Sequence, residues 1–272
     1  MTEIKFHKLV ASGNDFLVID NRKQAIGNPK AFAEKVCRPH LGVGADGVLL
    51  IEPSKKADFF MRIVNSDGSE AEACGNGYRC VGLYAHQLLN FPKSMTVETL
   101  AGLIQIHVGK ETIKVKMVDP SEYKEVIQIK DLGLNGSQLN VAFINTGVPH
   151  TVIFAEGLKN IEVEELGRKI RYHDLFKPRG TNVNFVEVTG KNSLSIRTYE
   201  RGVEAETLAC GTGTVASAII AYLTDRVGVP IRVTTKSGEI LYVYFDAQNR
   251  KIQNVFLEGS AEFVFEGKLS SF

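Results

Sequence analysis

Two of the four cysteines in this 272-residue sequence, Cys74 and Cys210, stand in nearly the same local pattern. Each is followed by Gly-x-Gly and then by apolar residues at helical spacing, so each is predicted at a helix N-terminus. The unpaired N–H groups of a helix N-terminus bind anions and favour thiolate over thiol. Two such sulfurs suit acid–base chemistry at a carbon, where one removes a proton and the other returns it to the opposite face.

The segments around these cysteines belong to an internal repeat. Cys74 and Cys210 are 136 positions apart, and three pairs of glycines keep nearly the same offset in the same order. The pairs are Gly13 with Gly147, Gly44 with Gly180, and Gly102 with Gly238. Such periodicity predicts two fused copies of one unit, each with short strands, a helix after the cysteine and two closing strands. A rough two-fold relation between the copies is expected to bring both cysteines to one ligand.

Each predicted helix has its own apolar pattern. The first is marked by Val81, Tyr84, Ala85, Leu88 and Leu89. The second is apolar nearly all round, from Val215 to Leu223, which predicts burial inside its domain. The segment from Asp119 to Asn140, with Pro120, Gly133 and Gly136, is predicted to be the junction between the copies.

Composition narrows the class of protein. A net charge of +1 gives no global field for nucleic acid or an anionic membrane. The first residues lack a signal-peptide layout and the longest apolar stretch is too short to span a bilayer, so we expect a cytoplasmic protein. The cysteines form no CxxC and the six histidines are scattered, which argues against a zinc site or a thioredoxin-type motif.

Three other candidates are not assigned to the catalytic chemistry. Cys37 and Cys80 are expected to be buried and to behave as small hydrophobic residues. The segment Gly42-Val-Gly-Ala-Asp-Gly47 matches GxGxxG, but a strand-like run follows it instead of a helix. It is therefore predicted to be a ligand-facing loop or a plain turn, and not a dinucleotide site.

At these cysteines and in several other motifs the chain resembles the diaminopimelate epimerase family, along essentially its whole length. The matching stretches begin with His7-Lys-Leu-Val-Ala-Ser-Gly-Asn14-Asp-Phe, Gly42 to Gly47, and Asn65-Ser-Asp-Gly-Ser-Glu70 running on to Cys74-Gly-Asn-Gly-Tyr-Arg79-Cys80. They continue with Asn145-Thr-Gly-Val-Pro-His150, Thr181-Asn182-Val, and Tyr199-Glu-Arg-Gly202 leading to Cys210-Gly-Thr-Gly-Thr.

The resemblance implies interconversion of LL- and meso-2,6-diaminopimelate without a cofactor, with Cys74 and Cys210 as the acid–base pair. It implies an α+β fold of two pseudo-repeated domains, residues 1–118 plus 263–272 and residues 119–262, each a barrel-like, mostly antiparallel sheet around a central helix. It also implies a homodimer. The implied site residues fall into three groups. Asn14, Asn65, Asn182, Glu200 and Arg201 hold the substrate's charged groups; Gly75, Asn76, Gly211 and Thr212 supply backbone amides; His150 and Glu200 assist proton transfer near the sulfurs.

Some features depart from the family pattern and keep alternatives open. Val148 stands where relatives often carry Asn, Gly47 stands where some carry Gln, and the stretch from Glu200 to Cys210 is one residue longer than in some relatives. A two-cysteine racemase of another amino acid, such as proline or hydroxyproline, is therefore an alternative. A non-catalytic thiol-redox or ligand-binding protein on the same scaffold is another.

Overall fold

The computed structural model describes residues 3–130, 132 and 138–270, which divide into two units. Unit 1 consists of Met1–Lys116 and Glu258–Phe272, and unit 2 of Met117–Leu257. The sequence placed the boundaries at 118/119 and 262/263. Of the predicted junction, Gly133 and Gly136 lie outside the described residues.

Unit 1 is a mixed sheet with two helices. Its strands are β1 (Ile4–Ala11), β2 (Asn14–Asp20), β3 (Gly47–Glu52), β4 (Phe59–Asn65), β5 (Glu70–Ala71), β6 (Ser94–Thr99), β7 (Gly102–Val108), β8 (Ile113–Lys116) and β18 (Glu262–Leu269). Its helices are α1 (Pro29–Val36) and α2 (Gly75–Leu89). The pairing order is β18-β1-β2-β3-β4-β6-β7-β8, with β5 also on β4. Among these pairings of described residues, β2–β3 and β4–β6 are parallel and the others antiparallel.

Unit 2 repeats this plan. Its strands are β9 (Ser121–Ile129), β10 (Leu139–Asn145), β11 (Pro149–Phe154), β12 (Asn182–Gly190), β13 (Ser193–Glu200), β14 (Ala205–Thr207), β15 (Ile231–Thr234), β16 (Ile240–Gln248) and β17 (Lys251–Gly259). Its helices are α3 (Val163–Arg171) and α4 (Gly211–Leu223). The parallel pairs of unit 2 are β11–β12 and β13–β15. They correspond to β2–β3 and β4–β6 of unit 1. The predicted duplication is therefore confirmed at the level of strand pairing.

Each unit buries one helix against its sheet. In unit 1, α2 contacts β1, β2 and β3 as well as β7 and β8, so strands from both parts of the pairing order curl around it. Gly82 allows this close packing, since a methyl group there would lie 2.7 Å from Ile106 Cγ2. In unit 2, every residue of α4 from Gly213 to Ala221 is buried, as its all-round apolar sequence predicts.

The expected α+β class with a sheet around a central helix is confirmed. Among the described pairings of unit 1, none joins β8 to β18, so the sheet wraps the helix without closing into a barrel. The segment predicted to be the junction contains β9, which pairs with β10, so part of it belongs to the sheet of unit 2. Most β9 side chains are exposed, so it lacks the apolar alternation of a strand packed on a core.

Candidate active site

Cys74 is the N-cap residue of α2, as predicted. Its half-buried side chain accepts a hydrogen bond from the Gly77 amide at 3.3 Å. A side-chain acceptor at this position satisfies one of the N–H groups left unpaired at a helix start. Gly75 and Asn76 form the first turn of α2 directly after this sulfur.

Asn14 meets Cys74 from the turn between β1 and β2. This turn reverses the chain through Ser12 and Gly13, both with positive φ. It places Asn14 Oδ1 3.9 Å from Cys74 Sγ. The Asn14 amide is fixed from its other end, because Nδ2 donates to Asp46 Oδ2 at 2.5 Å. Since a carboxylate only accepts, the oxygen of this amide is the atom that faces the sulfur.

Arg79 ties the start of α2 to two distant segments. It is fully buried, and its guanidinium donates to Asn76 Oδ1 at 3.1 Å, Ser12 Oγ at 2.5 Å and the Ser260 carbonyl at 2.9 Å. Ser12 belongs to the turn that carries Asn14. The arginine therefore holds the Asn14 turn against the helix that begins at Cys74.

Asn65 lies at the end of β4 in a turn of its own. Its Nδ2 donates to Ser69 Oγ at 2.9 Å, and its backbone N–H donates to the Ser69 carbonyl. Opposite it on β3 is Gly47, where a Cβ would lie 2.7 Å from the Val64 carbonyl oxygen. Glycine at position 47 is thus explained by close strand packing. The role of Asn65 in binding stays a prediction.

Cys210 is the N-cap residue of α4, again as predicted, but its surroundings differ. Cys210 is buried, with 6% of its surface exposed to solvent, and its Sγ lies 3.5 Å from Thr212 Oγ1. Burial, reinforced by the negative charge of Glu200, raises the pKa of the Cys210 thiol to about 12, although the Thr212 hydroxyl and the Thr212 and Gly213 amides oppose this. At Cys210, burial therefore outweighs the hydrogen bonds that the start of α4 offers to the sulfur, and the thiol is favoured over the thiolate.

Glu200 ends β13 close enough to Cys210 to influence its ionisation. Burial raises the pKa of the Glu200 carboxyl above its ordinary value, and the neighbouring Thr207 hydroxyl offsets part of that shift. The next residue, Arg201, donates its backbone N–H to Asn182 Oδ1 at 2.8 Å. Asn182 Nδ2 in turn donates to the Pro149 carbonyl at 3.1 Å, so this buried amide joins the segment before His150 to the Glu200–Arg201 segment.

His150 has no exposed surface, and burial, aided by the positive charge of Arg201, lowers its pKa to about 3. It is therefore neutral at neutral pH. Its Nδ1 lies 3.1 Å from Asn184 Nδ2. The turn between β10 and β11, just before it, is anchored to the first turn of α4 by a bond from Thr146 Oγ1 to the Thr212 carbonyl.

The remaining cysteines are buried, as predicted. Cys37 is 2% exposed and Cys80 is fully buried inside α2. Burial raises the pKa of Cys37 to about 12, with the Asp15 and Asp46 charges adding to the shift. The loop from Gly42 to Gly47 leads into β3, which agrees with a loop and not with a helix-capping nucleotide site.

The sequence model of the diaminopimelate epimerase family matches residues 6–123 and 142–264. The chain belongs to the diaminopimelate epimerase family. A diaminopimelate epimerase from Aquifex aeolicus strain VF5 is 44% identical over 280 aligned residues, covering 98% of each chain. Another, from Hydrogenobaculum sp. strain Y04AAS1, is 45% identical and covers 97% of each chain.

A solved structure shares the fold at low identity. It is a phenazine biosynthesis protein of the PhzF family from Bacillus anthracis, 19% identical, with a TM-score of 0.75 and full coverage of both chains.

In residues 3–130, 132 and 138–270, no helix has the length and apolarity needed to cross a membrane. In the same part of the chain, no group of three His, Cys, Asp or Glu side chains is placed to hold a metal ion.

The sequence did not identify two residues that organise this candidate site, Arg79 and Asn184. Arg79 lies within a family motif, but its partner Ser260 is 181 positions away. Asn184 lies in the strand-like run after Thr181 and contacts side chains of two other strands. An arginine or asparagine on the predicted buried face of a helix or strand is the signal that would have singled them out.

Proposed function

We propose that this protein interconverts LL- and meso-2,6-diaminopimelate, an amino acid used in lysine and peptidoglycan precursor synthesis. Family membership over nearly the whole chain is the observation that carries the proposal. The duplicated helix starts add support, because each copy presents one cysteine as the N-cap of a buried helix. The reaction requires one acid and one base of the same kind, and the duplication supplies two cysteines for these roles.

The proposed reaction moves a proton through two sulfurs. A thiolate takes the proton from Cα, the electron pair spreads onto the substrate carboxylate, and the other thiol gives its proton to the opposite face of the same carbon. The two cysteines therefore exchange protonation states in each turnover, and their titrations are coupled. This mechanism requires both sulfurs to approach one Cα from opposite faces.

We further propose that the protein without substrate holds Cys210 as the thiol and Cys74 as the base. Cys210 is buried next to Glu200, which disfavours its thiolate. Cys74 is more exposed and accepts a bond from the Gly77 amide, an interaction that stabilises negative charge on sulfur. Substrate that arrives with its Cα proton towards Cys74 would then react first.

The other family residues are proposed to hold the substrate. Amide and carboxylate oxygens suit its ammonium groups, and guanidinium and backbone N–H groups suit its carboxylates. Near Cys74 these are Asn14, Asn65 and the Gly75 and Asn76 amides. Near Cys210 they are Asn182, Glu200, Arg201 and the Gly211 and Thr212 amides. His150 and Glu200 are proposed to assist proton transfer.

The test is turnover of LL-diaminopimelate by the reduced protein in heavy water, following stereochemistry and Cα deuterium together. Inversion with deuterium in the meso product is expected. Cys74→Ala and Cys210→Ala should each abolish inversion, whereas Cys37→Ala, which removes a buried core thiol, should retain it. Normal inversion by either active-site alanine variant would refute the two-thiol mechanism.

Two alternatives are separated by the same assay. If the protein with free thiols leaves diaminopimelate unchanged but inverts proline or hydroxyproline, then the alternative prompted by Val148 is correct. If none of diaminopimelate, proline and hydroxyproline exchanges its Cα proton, then the binding or redox interpretation is favoured.

We also propose a homodimer in the cytoplasm, on the basis of membership of the diaminopimelate epimerase family. Sedimentation equilibrium measures the mass directly. A single species of about twice the 29.9 kDa chain mass is expected, and a monomer at micromolar concentration would contradict the dimer.

A further inference from the structure

Asn184 is a fully buried asparagine on β12 whose amide is hydrogen-bonded at both ends. Its Oδ1 accepts from Thr198 Oγ1 at 3.0 Å. Its Nδ2 lies 3.1 Å from the Thr151 carbonyl oxygen and 3.1 Å from His150 Nδ1. These three contacts determine which ring nitrogen of His150 carries the proton.

The orientation of the amide follows from the backbone. A carbonyl oxygen only accepts, so the atom facing the Thr151 carbonyl is the nitrogen of Asn184. One of its two hydrogens goes to that carbonyl and the other points to His150 Nδ1. That ring nitrogen must therefore present a lone pair, which leaves the single proton of the neutral imidazole on Nε2.

We propose that Asn184 is a positioning residue that holds His150 as the neutral Nε2–H tautomer, so that His150 serves the reaction as a hydrogen-bond donor through Nε2. This inference rests on the proposed function for the step it assists. Nε2 is buried, and no described residue of the chain accepts a hydrogen bond from it. The Arg201 guanidinium acts on the same ring electrostatically. A neutral N–H beside a cation recognises an anionic acceptor, which the substrate carboxylate provides.

The helix that begins at Cys210 leaves room for this arrangement. Gly213, in the first turn of α4, has no side chain, and a methyl group there would overlap Asn184 Oδ1. The same ideal Cβ position lies 3.4 Å from Cys210 Cβ. Asn184 is therefore packed against the first turn of the helix that begins at Cys210 as well as against His150.

The tautomer is directly measurable. With ¹⁵N-labelled histidine, long-range proton–nitrogen spectra separate protonated from unprotonated ring nitrogens, and His150→Gln identifies the signals. We expect the substrate-free wild type to show the Nε2–H pattern. Asn184→Asp replaces the donating nitrogen by an oxygen, so the ring should become protonated at Nδ1, and kcat/KM should fall at least tenfold.

Thr151→Val is the matched control. It removes another buried hydrogen bond, from Thr151 Oγ1 on the strand of His150 to Thr181 Oγ1. It keeps the Thr151 backbone carbonyl that orients Asn184. It should retain the wild-type tautomer. An Nδ1–H pattern in the wild type, or an unchanged pattern in a folded Asn184→Asp variant, would overturn the proposal.

Two further readouts keep the test decisive. If Asn184→Asp fails to fold, the wild-type spectrum still tests the His150 tautomer. Thr198→Val then tests the orientation of the Asn184 amide, because it removes only the hydroxyl that donates to Asn184 Oδ1. The tautomer is read without substrate, so it stands or falls separately from the activity. An Nε2–H pattern in a protein that does not turn over diaminopimelate would refute the proposed function and leave the role of Asn184 intact.

Discussion

Alkylation of Cys210 is expected to be strongly suppressed in the native protein without substrate. Its pKa is raised from 9.0 to about 12 by burial and by Glu200. At pH 8, about one molecule in ten carries this thiolate in the unfolded chain, against about one in ten thousand in the folded protein. Because only the thiolate reacts, native Cys210 should be modified about 1,000-fold more slowly, before any added effect of restricted access.

The assay is a time course with iodoacetamide, in which each cysteine-containing peptide is quantified by mass spectrometry. The same protein in concentrated urea supplies the unfolded rate for Cys210. The pH profile then separates ionisation from access, because the native rate should still rise tenfold per pH unit above pH 9, where the unfolded rate levels off. Glu200→Gln removes the charge that opposes the thiolate and should speed the reaction at Cys210.

A native rate within tenfold of the unfolded rate, or one that levels off near pH 9, would refute this reasoning. The same shift has a consequence for stability. The folded state binds the thiol proton more tightly than the unfolded chain does, so no stability is lost below pH 9. The free energy of unfolding should decline as the pH rises from about 9 towards 12.

Three substitutions test other parts of the structure by urea unfolding and by activity. Arg79→Met removes the hydrogen bonds of a buried guanidinium to Asn76, Ser12 and Ser260 and should cost about 3 kcal/mol or more of unfolding free energy. Arg22→Met, in a partly exposed ion pair, should cost less than about 1 kcal/mol. Equal costs would contradict the role of Arg79 in holding the Asn14 turn against α2. Gly213→Ala should lower stability by about 2 kcal/mol through steric overlap, and Gly27→Ala, with open space around the added methyl, should not. Asp46→Ala frees the Asn14 amide that faces the Cys74 sulfur, so KM should rise about tenfold with little change in the unfolding midpoint. An unchanged KM would argue against a role of Asn14 in binding.

The features that the sequence predicted correctly depend on local patterns. Helical periodicity after Cys74 and Cys210 identifies α2 and α4, and the repeat offset predicts the duplicated strand pairing. The helix α1 was not identified, although Asn28 followed by Pro29 is a recognisable start, and Asn28 does cap it. Its eight residues hold too few turns for periodicity to stand out.

The features that the sequence missed depend on distant partners or on burial. Arg79 reads as an ordinary helix arginine until Ser12 and Ser260 are placed beside it. The raised pKa of Cys210 could not be predicted for the same reason, since a helix terminus is visible in sequence while the desolvation around the sulfur is set by packing within unit 2. Local chemistry is therefore easier to predict from sequence than the electrostatic environment in which it operates.

The discontinuity of unit 1 bears on how the chain is synthesised. β1 pairs with β18, so the sheet of unit 1 lacks one of its strands until after all of unit 2 has left the ribosome. Unit 2 is continuous from Met117 to Leu257 and has its elements available before then. Because domains fold largely as units during translation, the second unit is expected to complete its fold first. Meanwhile the free edge of β1 in the nascent chain is open to mispairing, which makes it a natural point of protection by chaperones.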